Sequence, residues 1–171
     1  MKFIAHPDGR FDSGQRTYRC ALGRAGVKTA DQKREGDGAS PIGVWPIRKV
    51  LYRPDKFRDG AAPQTALPLE AIARDDGWCD DPEDKAYNRP IKLPFMGSFE
   101  KMWRDDHLYD IVVVLGHNDD PPKPYFGSCI FMHLAKEGYL PTEGCVALTR
   151  ADLEAVLKDA RPGDVVEIAA D

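Results

Sequence analysis

A histidine and a cysteine in the last quarter of the chain have the types and spacing that thiol catalysis needs. His133 lies in an apolar run, Cys145 follows Gly144, and the turn-forming segment 137–141 lies between them. The chain can therefore fold back and bring imidazole and thiol together. A free thiol has a pKa of about 8.5, and an adjacent imidazolium lowers this pKa until the nucleophilic thiolate dominates. We predict that Cys145 is a nucleophile and that His133 is its base.

Gly144 suits a position beside a nucleophile. Glycine permits an unusual backbone angle and leaves room for the carbonyl group of a substrate. The amides of Gly144 and Cys145 are predicted to face the developing oxyanion. A cysteine on a strand is more often a core residue, and spacing alone leaves that alternative open.

The remaining cysteines and the aspartate pairs predict no metal site. No two cysteines form a C-x-x-C pair, which argues against a zinc site or a redox dithiol. Adjacent aspartates rarely converge on one ion, so their pairs are interpreted as solvated turns. We expect no metal and no cofactor, and we expect three thiols to be inert: Cys20, Cys79 and Cys129.

Composition limits the classes of protein to consider. The chain has 171 residues, 42% of them hydrophobic, and a net charge of -4. This length suits one domain, and the absence of a basic patch argues against a nucleic-acid partner. No apolar run approaches the roughly 20 residues that span a bilayer, so no membrane partner is expected. The N-terminus lacks the apolar run of about 7–15 residues of a secretory signal, which predicts a cytoplasmic protein. A removed leader would place it in the periplasm or cell envelope instead.

Short apolar runs between glycines and prolines predict strands rather than long helices. The run at 109–116 is almost wholly apolar and β-branched, which is typical of a central strand covered on both faces. Pro46 predicts that its strand lies at an edge or begins beside a bulge. The other predicted strands are 18–22, 44–52, 128–134, 145–148 and 165–168.

Two helices and one long insertion complete the predicted architecture. Thr149 is expected to cap a helix whose apolar stripe includes Leu153 and Leu157. A second short helix is predicted near 99–104. The segment 53–94, rich in Pro, Asp and Gly, is interpreted as an ordered insertion carrying function or as a flexible lid.

The catalytic segment resembles a known family signature. His133 followed by Thr142-Glu143-Gly144-Cys145-Val146 is similar to the motif of the L,D-transpeptidase catalytic domain, the YkuD-like fold. Ser40-Pro41-Ile42-Gly43 resembles the Thr-Pro-x-Gly turn of the family, and 77–81, 87–88 and 127–131 look like an insertion of one subgroup. The resemblance implies a single domain over 1–171, mostly β, in which mixed sheets form a sandwich with one or two short helices.

The resemblance also implies roles for particular residues. Cys145 matches the family nucleophile and His133 the base, with the carbonyl of Leu134 orienting the imidazole. Thr142, Gly144 and Cys145 match the loop that forms the oxyanion hole. Glu143 stands where many members carry a histidine, and Thr142 and Glu143 are predicted to contact the substrate.

Ala147 stands where many members carry an arginine that recognises a substrate carboxylate. Another cation must take that role, and the sequence offers Arg89, Lys92 and Arg150 as candidates.

Four further residues are weaker candidates for substrate binding. His117 and Asn118 end the central strand, where site residues often gather, although both residue types also favour turns. Trp78 is a candidate for the wall of the pocket, or else it anchors its own loop. Arg89 is a candidate contact to the substrate carboxylate.

The family resemblance implies acyl transfer on peptidoglycan tetrapeptide stems or muropeptides. The thiolate would release the terminal D-alanine and form a thioester, which passes its acyl group to an amine (transpeptidation) or to water (L,D-carboxypeptidase action). Carbapenem-type inhibitors are expected to acylate such a cysteine. The alternatives are a non-catalytic peptidoglycan-binding domain and another kind of thiol peptidase.

Overall fold

Strands dominate the computed structural model, which describes residues 1–171. The thirteen strands and the single α-helix are β1 (Lys2–Ala5), β2 (Arg10–Asp12), β3 (Thr17–Arg19), β4 (Val27–Thr29), β5 (Ser40–Tyr52), β6 (Leu69–Ala71), β7 (Asp76–Cys79), β8 (Pro90–Lys92), β9 (Phe99–Lys101), β10 (Ile111–Leu115), β11 (Phe131–Leu134), β12 (Val146–Leu148), α1 (Arg150–Asp159) and β13 (Val165–Ile168). Three short 3-10 turns connect some of them.

The long strand β5 belongs to two sheets. Its first half pairs with β4 and β13, and its second half pairs with β6 and β10. Pro46, which has no amide hydrogen to donate, lies where one set of partners gives way to the other. The pairing with β10 skips from Ile47 to Lys49, so Arg48 forms a bulge. The irregularity predicted beside Pro46 is therefore present, but β5 is an inner strand and not an edge.

The two sheets enclose one main core. The first contains β3, β2, β1, β13 and the start of β5, and the second contains the rest of β5, β10, β11 and β12. The pair β1–β13 and the pair β11–β12 are parallel, whereas most other pairs are antiparallel. Side chains from both sheets and from α1 form a core of 21 buried residues. The predicted mostly-β sandwich of mixed sheets is confirmed.

Helix α1 covers one part of this core. The Thr149 hydroxyl accepts a hydrogen bond from the Asp152 amide at 3.2 Å, and Leu153, Val156 and Leu157 are buried, as the capping pattern predicts. The second helix predicted near 99–104 is wrong. Residues Phe99–Lys101 instead form β9, because pairing with β7 outweighs a weak local preference for helix. No helix of the structure is both long enough and apolar enough to cross a lipid bilayer.

The insertion at 53–94 is ordered and packs over the outer face of the second sheet. It supplies β6, β7 and β8, and β7 lies between β8 and β9 in a separate three-stranded sheet. A second core of ten buried residues joins this small sheet to the second sheet. Within it the ring of Trp78 meets that of Phe131 edge to face, with centroids 5.1 Å apart.

Strand β10 is covered on both faces, as its composition predicts. Ile111, Val113 and Leu115 point into the main core. Val112 and Val114 point into the second core, on the face that the insertion covers. The same alternation applies to β11 and β12, and it decides which of their side chains reach the functional site.

Two methionines provide a test of the second core. Met102 is 2% exposed within this core. Met96, which lies earlier in the same stretch of chain, is 101% exposed. Met102→Ala should lower the free energy of unfolding by about 2–4 kcal/mol through lost burial and a residual cavity. Met96→Ala, the matched control, should change it by less than about 0.5 kcal/mol. Urea denaturation measures both, and equal stabilities of the two variants would contradict the described packing.

Candidate active site

The register of two parallel strands brings His133 and Cys145 together. In β11 and β12, His133 lies beside Ala147, and Cys145 precedes Ala147 by two residues. Side chains two apart on a strand share a face, so Cys145 and His133 are diagonal neighbours on the face that the insertion covers. Both line one cavity of about 140 Å³, together with Glu100, Arg104, Tyr109, Lys136, Glu143 and Ala147.

The backbone carbonyl of Leu134 determines the tautomer of His133. Imidazole Nδ1 lies 2.8 Å from the Leu134 oxygen. A carbonyl oxygen only accepts, so Nδ1 carries the proton and Nε2 keeps a free lone pair. The ring packs edge-on against Tyr109, with centroids 5.4 Å apart. Burial lowers the pKa of His133 to about 4, so the imidazole is neutral at physiological pH.

The Cys145 thiol is buried, and backbone groups hold it. Its Sγ donates to the Cys129 carbonyl at 3.1 Å and accepts from the Phe131 amide at 3.4 Å. Burial raises the pKa of Cys145 to about 12. The expected lowering of this pKa by an adjacent imidazolium is therefore absent from the structure, because both groups are buried and each loses hydration in its charged form. The pair consists of a neutral thiol and a neutral imidazole.

Thr142 stabilises the turn that carries Cys145. Its hydroxyl accepts from the Gly144 amide at 3.1 Å and donates to the Cys145 carbonyl at 2.7 Å. The Gly144 amide is thus already engaged, which differs from its expected role in the oxyanion hole. The Cys145 amide makes no hydrogen bond within the protein, so it is free to donate to a bound group.

Gly144 is required by two constraints at once. Its φ of +133° disfavours any residue with a side chain, and a Cβ there would lie 2.8 Å from the Ala39 carbonyl oxygen. The turn therefore packs directly against the backbone that leads into β5.

The segment 22–24, for which the sequence analysis predicted no part in the site, supports this turn. Leu22 and Arg24 exchange backbone hydrogen bonds with Thr142, at 2.9 and 2.8 Å. Between them, the Gly23 amide donates to the Ser40 hydroxyl at 2.9 Å. The Ser-Pro-Ile-Gly motif signalled that Ser40 mattered, but no pattern indicated that it would anchor the strand behind Thr142.

The other predicted substrate-binding residues are divided between two cavities. Glu143 lies at the Cys145 cavity, where its exposed carboxylate pairs with Arg24 at 2.9 Å. His117 and Asn118 line a different cavity, of about 420 Å³. His117 Nε2 donates to the Phe126 carbonyl at 3.0 Å, and burial lowers its pKa to about 4.

Trp78 and Arg89 do not line the Cys145 cavity. Trp78 is buried in the second core, where its indole donates to the Asn88 side chain at 3.0 Å. Arg89 donates to the carbonyl of Asp119, beside the second cavity. The structure thus brings only part of the predicted set to the nucleophile.

Asn88 links several parts of the site region, although the sequence analysis assigned it no role. Its amide nitrogen donates to the carbonyls of His117 and Asn118 at 3.1 and 2.8 Å, and its oxygen accepts from the Cys129 amide at 3.2 Å. It thereby ties the insertion to the loop whose carbonyl holds the Cys145 thiol. Its membership of the subgroup-like Tyr87-Asn88 pair was the only signal.

A thiol and an imidazole of fixed tautomer in one cavity are the elements of a thiol acyl-transfer site. The family model for the L,D-transpeptidase catalytic domain, YkuD, matches residues 8–168 of the chain. The chain therefore belongs to the L,D-transpeptidase catalytic-domain family, whose members act on peptidoglycan stem peptides. No curated protein matches the chain.

The neutral state of the pair predicts the pH dependence of thiol alkylation. Because burial raises the pKa of Cys145 to about 12, its alkylation by iodoacetamide should be slow at pH 7. The rate should rise about tenfold per pH unit from pH 7 to 10, as the thiolate fraction grows. Mass spectrometry of tryptic peptides follows Cys145, with Cys145→Ser as the control. A rate that is constant between pH 6 and 8 would indicate a preformed thiolate–imidazolium pair instead.

Thr142 provides a matched pair of variants. Thr142→Val keeps the shape but leaves the Gly144 amide and the Cys145 carbonyl without their partner. We expect kcat/KM on a tetrapeptide stem to fall by about 10²-fold, since the nucleophile is displaced by a fraction of an ångström or more. Thr142→Ser keeps the hydroxyl and should stay close to wild type. Wild-type kcat/KM in Thr142→Val would show that the Thr142 hydroxyl is dispensable.

Proposed function

We propose that the protein is a cysteine acyltransferase that removes the terminal D-alanine from peptidoglycan tetrapeptide stems and passes the acyl group to water, an L,D-carboxypeptidase activity. The observation that carries the proposal is the single cavity that both Cys145 and His133 line. Membership of the L,D-transpeptidase family supports the substrate class.

The proposed reaction uses the proton acceptor that the structure leaves free. Cys145 Sγ turns from the Cys129 carbonyl, gives its proton to His133 Nε2 and attacks the carbonyl carbon of the third stem residue. The Cys145 amide donates to the resulting oxyanion. When the intermediate collapses, His133 passes its proton to the departing amine of D-alanine, and a thioester remains.

Water completes the proposed cycle. His133 Nε2 takes a proton from water, the hydroxide oxygen attacks the thioester carbonyl, and the tripeptide leaves as a carboxylic acid. The proton returns to the Cys145 sulfur, which restores the thiol. Atoms balance with one water consumed per D-alanine released, and no cofactor is required.

The size of the cavity favours water over an amine as the acceptor. The cavity of about 140 Å³ is smaller than the roughly 300–1,000 Å³ of pockets that enclose a whole drug-sized ligand, so it does not by itself accommodate a second stem. After D-alanine departs, the space it filled admits water. An amine acceptor competes only if a bound second stem raises its effective molarity to about 10⁵ M or more, which requires a further groove beside the cavity.

We also propose that the enzyme works on soluble muropeptides in a reducing compartment. All four cysteines are free thiols, and three of them are buried. Unpaired cysteines are typical of proteins kept under cytosolic reducing conditions. This setting supports trimming of recycled fragments rather than crosslinking of wall strands.

Incubation with disaccharide-tetrapeptide tests the proposal. We expect D-alanine and disaccharide-tripeptide as the products by mass spectrometry, with little dimer at millimolar substrate. In ¹⁸O-labelled water, one labelled oxygen should enter the tripeptide carboxylate. Cys145→Ala should fold normally and lose essentially all turnover, because the missing thiol acts in the transition state.

The same assay separates the alternatives. Dimeric products in excess would establish transpeptidation, and binding of the stem without any turnover would indicate a peptidoglycan-binding domain. Cleavage of ordinary L,L-peptides would indicate another thiol peptidase. A carbapenem should form one covalent adduct with wild type and none with Cys145→Ser by intact mass, whereas adducts on both proteins would contradict acylation at Cys145.

A further inference from the structure

The proposed substrate brings a carboxylate to the site, and a cation must receive it. Ala147, which replaces the arginine of many family members, lies beside His133 in the register of β11 and β12 and lines the cavity. A tetrapeptide stem ends in the α-carboxylate of D-alanine. If no cation faced that carboxylate, its burial would be costly.

The three cations that the sequence offered do not line the Cys145 cavity. Lys92 pairs with Asp75 and Asp76 at 2.9 and 2.7 Å. Arg150 pairs with Asp110, and Arg89 donates to a backbone carbonyl. Each is occupied at another part of the surface.

Two other cations line the cavity, and one of them is already neutralised. Arg104 donates through Nε and Nη2 to Asp106 at 2.9 and 2.7 Å, and through Nη1 to Glu100 at 3.0 Å. One guanidinium thus faces two carboxylates. A third carboxylate arriving from a substrate would meet a net negative cluster, so Arg104 is poorly suited to receive it.

Lys136 is the free cation of the cavity. It is exposed, and its ammonium makes no ion pair or hydrogen bond in the structure. It follows the base by three residues, just beyond the end of β11. Burial is the main cause of the lowered pKa of His133, and the charges of Arg104 and Lys136 both lie close enough to the imidazole to add to it.

We infer that Lys136 receives the terminal carboxylate of the substrate and so determines the specificity of the site for C-terminal D-alanine. The inference rests on the proposed function and deepens it. In that reaction His133 protonates the departing amine, and the α-carboxylate is attached to the carbon next to this amine. The cation that binds the carboxylate must therefore lie beside His133, where Lys136 is.

This assignment explains how the site distinguishes the end of a stem from its interior. An internal peptide bond or a carboxamide presents no charge to Lys136. The carboxylates that line the same cavity, Glu143 and Glu100, pair with Arg24 and Arg104, so Lys136 is the unpaired charge. Only a chain that ends one residue after the attacked carbonyl satisfies both the ammonium and the base.

The test compares a tetrapeptide stem that ends in a carboxylate with the same stem ending in a carboxamide. Wild type should favour the carboxylate about tenfold in kcat/KM, the size of one charge-assisted hydrogen bond in a part-exposed site. Lys136→Ala should lose this preference by raising KM for the carboxylate alone. Lys136→Arg should retain it, and Lys158→Ala, an exposed lysine on α1, should match wild type.

A binding measurement keeps this inference separate from the proposed catalysis. In the Cys145→Ala background, calorimetry should show tighter binding of the carboxylate stem, and Lys136→Ala should abolish the difference. If Lys136→Ala keeps the preference in either assay, the inference is overturned. If the difference in binding depends on Lys136 but wild type turns over neither stem, the inference stands and the proposed reaction fails.

Discussion

The parallel register between β11 and β12 is the constraint on which the site depends. It places Ala147 beside His133 and Cys145 one diagonal step away, on a single face of the second sheet. A slip by one residue would turn Cys145 or His133 into the main core and dismantle the pair. Both strands contribute large apolar side chains to that core on their opposite face, so the hydrophobic effect maintains the register. The packing of one face of β11 and β12 against the main core therefore holds Cys145 and His133 in place on the other face.

Burial of Cys145 and His133 disfavours the charged form of each group. The insertion covers the catalytic face, and burial moves the pKa values of Cys145 and His133 away from each other. In the proposed reaction, proton transfer therefore accompanies the attack of Cys145 instead of preceding it. The benefit is that the neutral thiol is a weak nucleophile until a substrate carbonyl reaches the cavity, so unproductive reactions are suppressed. The Leu134 carbonyl matters here, because it leaves the imidazole lone pair on the nitrogen that is free to accept.

Local sequence patterns predicted the central strand and the helix, because the residue preferences that form these elements are local. Alternation and β-branched content indicated β10, the cap at Thr149 indicated α1, and the turn between His133 and Cys145 indicated that the two side chains would meet at one cavity. The failures arose where long-range pairing decided the outcome. Residues Phe99–Lys101 became a strand because β7 was available to pair with them. The cations at the cavity, Arg104 and Lys136, could not be assigned from the sequence, since their proximity to Cys145 depends on how the residues after β9 and the residues after β11 fold together.

The pairing of β1 with β13 has a consequence for how the chain acquires its structure. These strands lie near opposite ends of the chain, yet Lys2 is opposite Val165 and Ala5 is opposite Ile168. Bringing the ends of so long a loop together costs conformational entropy before the contacts between β1 and β13 can form. Topologies with such distant pairings therefore fold slowly. During synthesis the first sheet cannot close until β13 has emerged from the ribosome. Until then β1 can pair only with β2, and its other edge stays open, so the dependence of the growing chain on chaperones should be greatest during that interval.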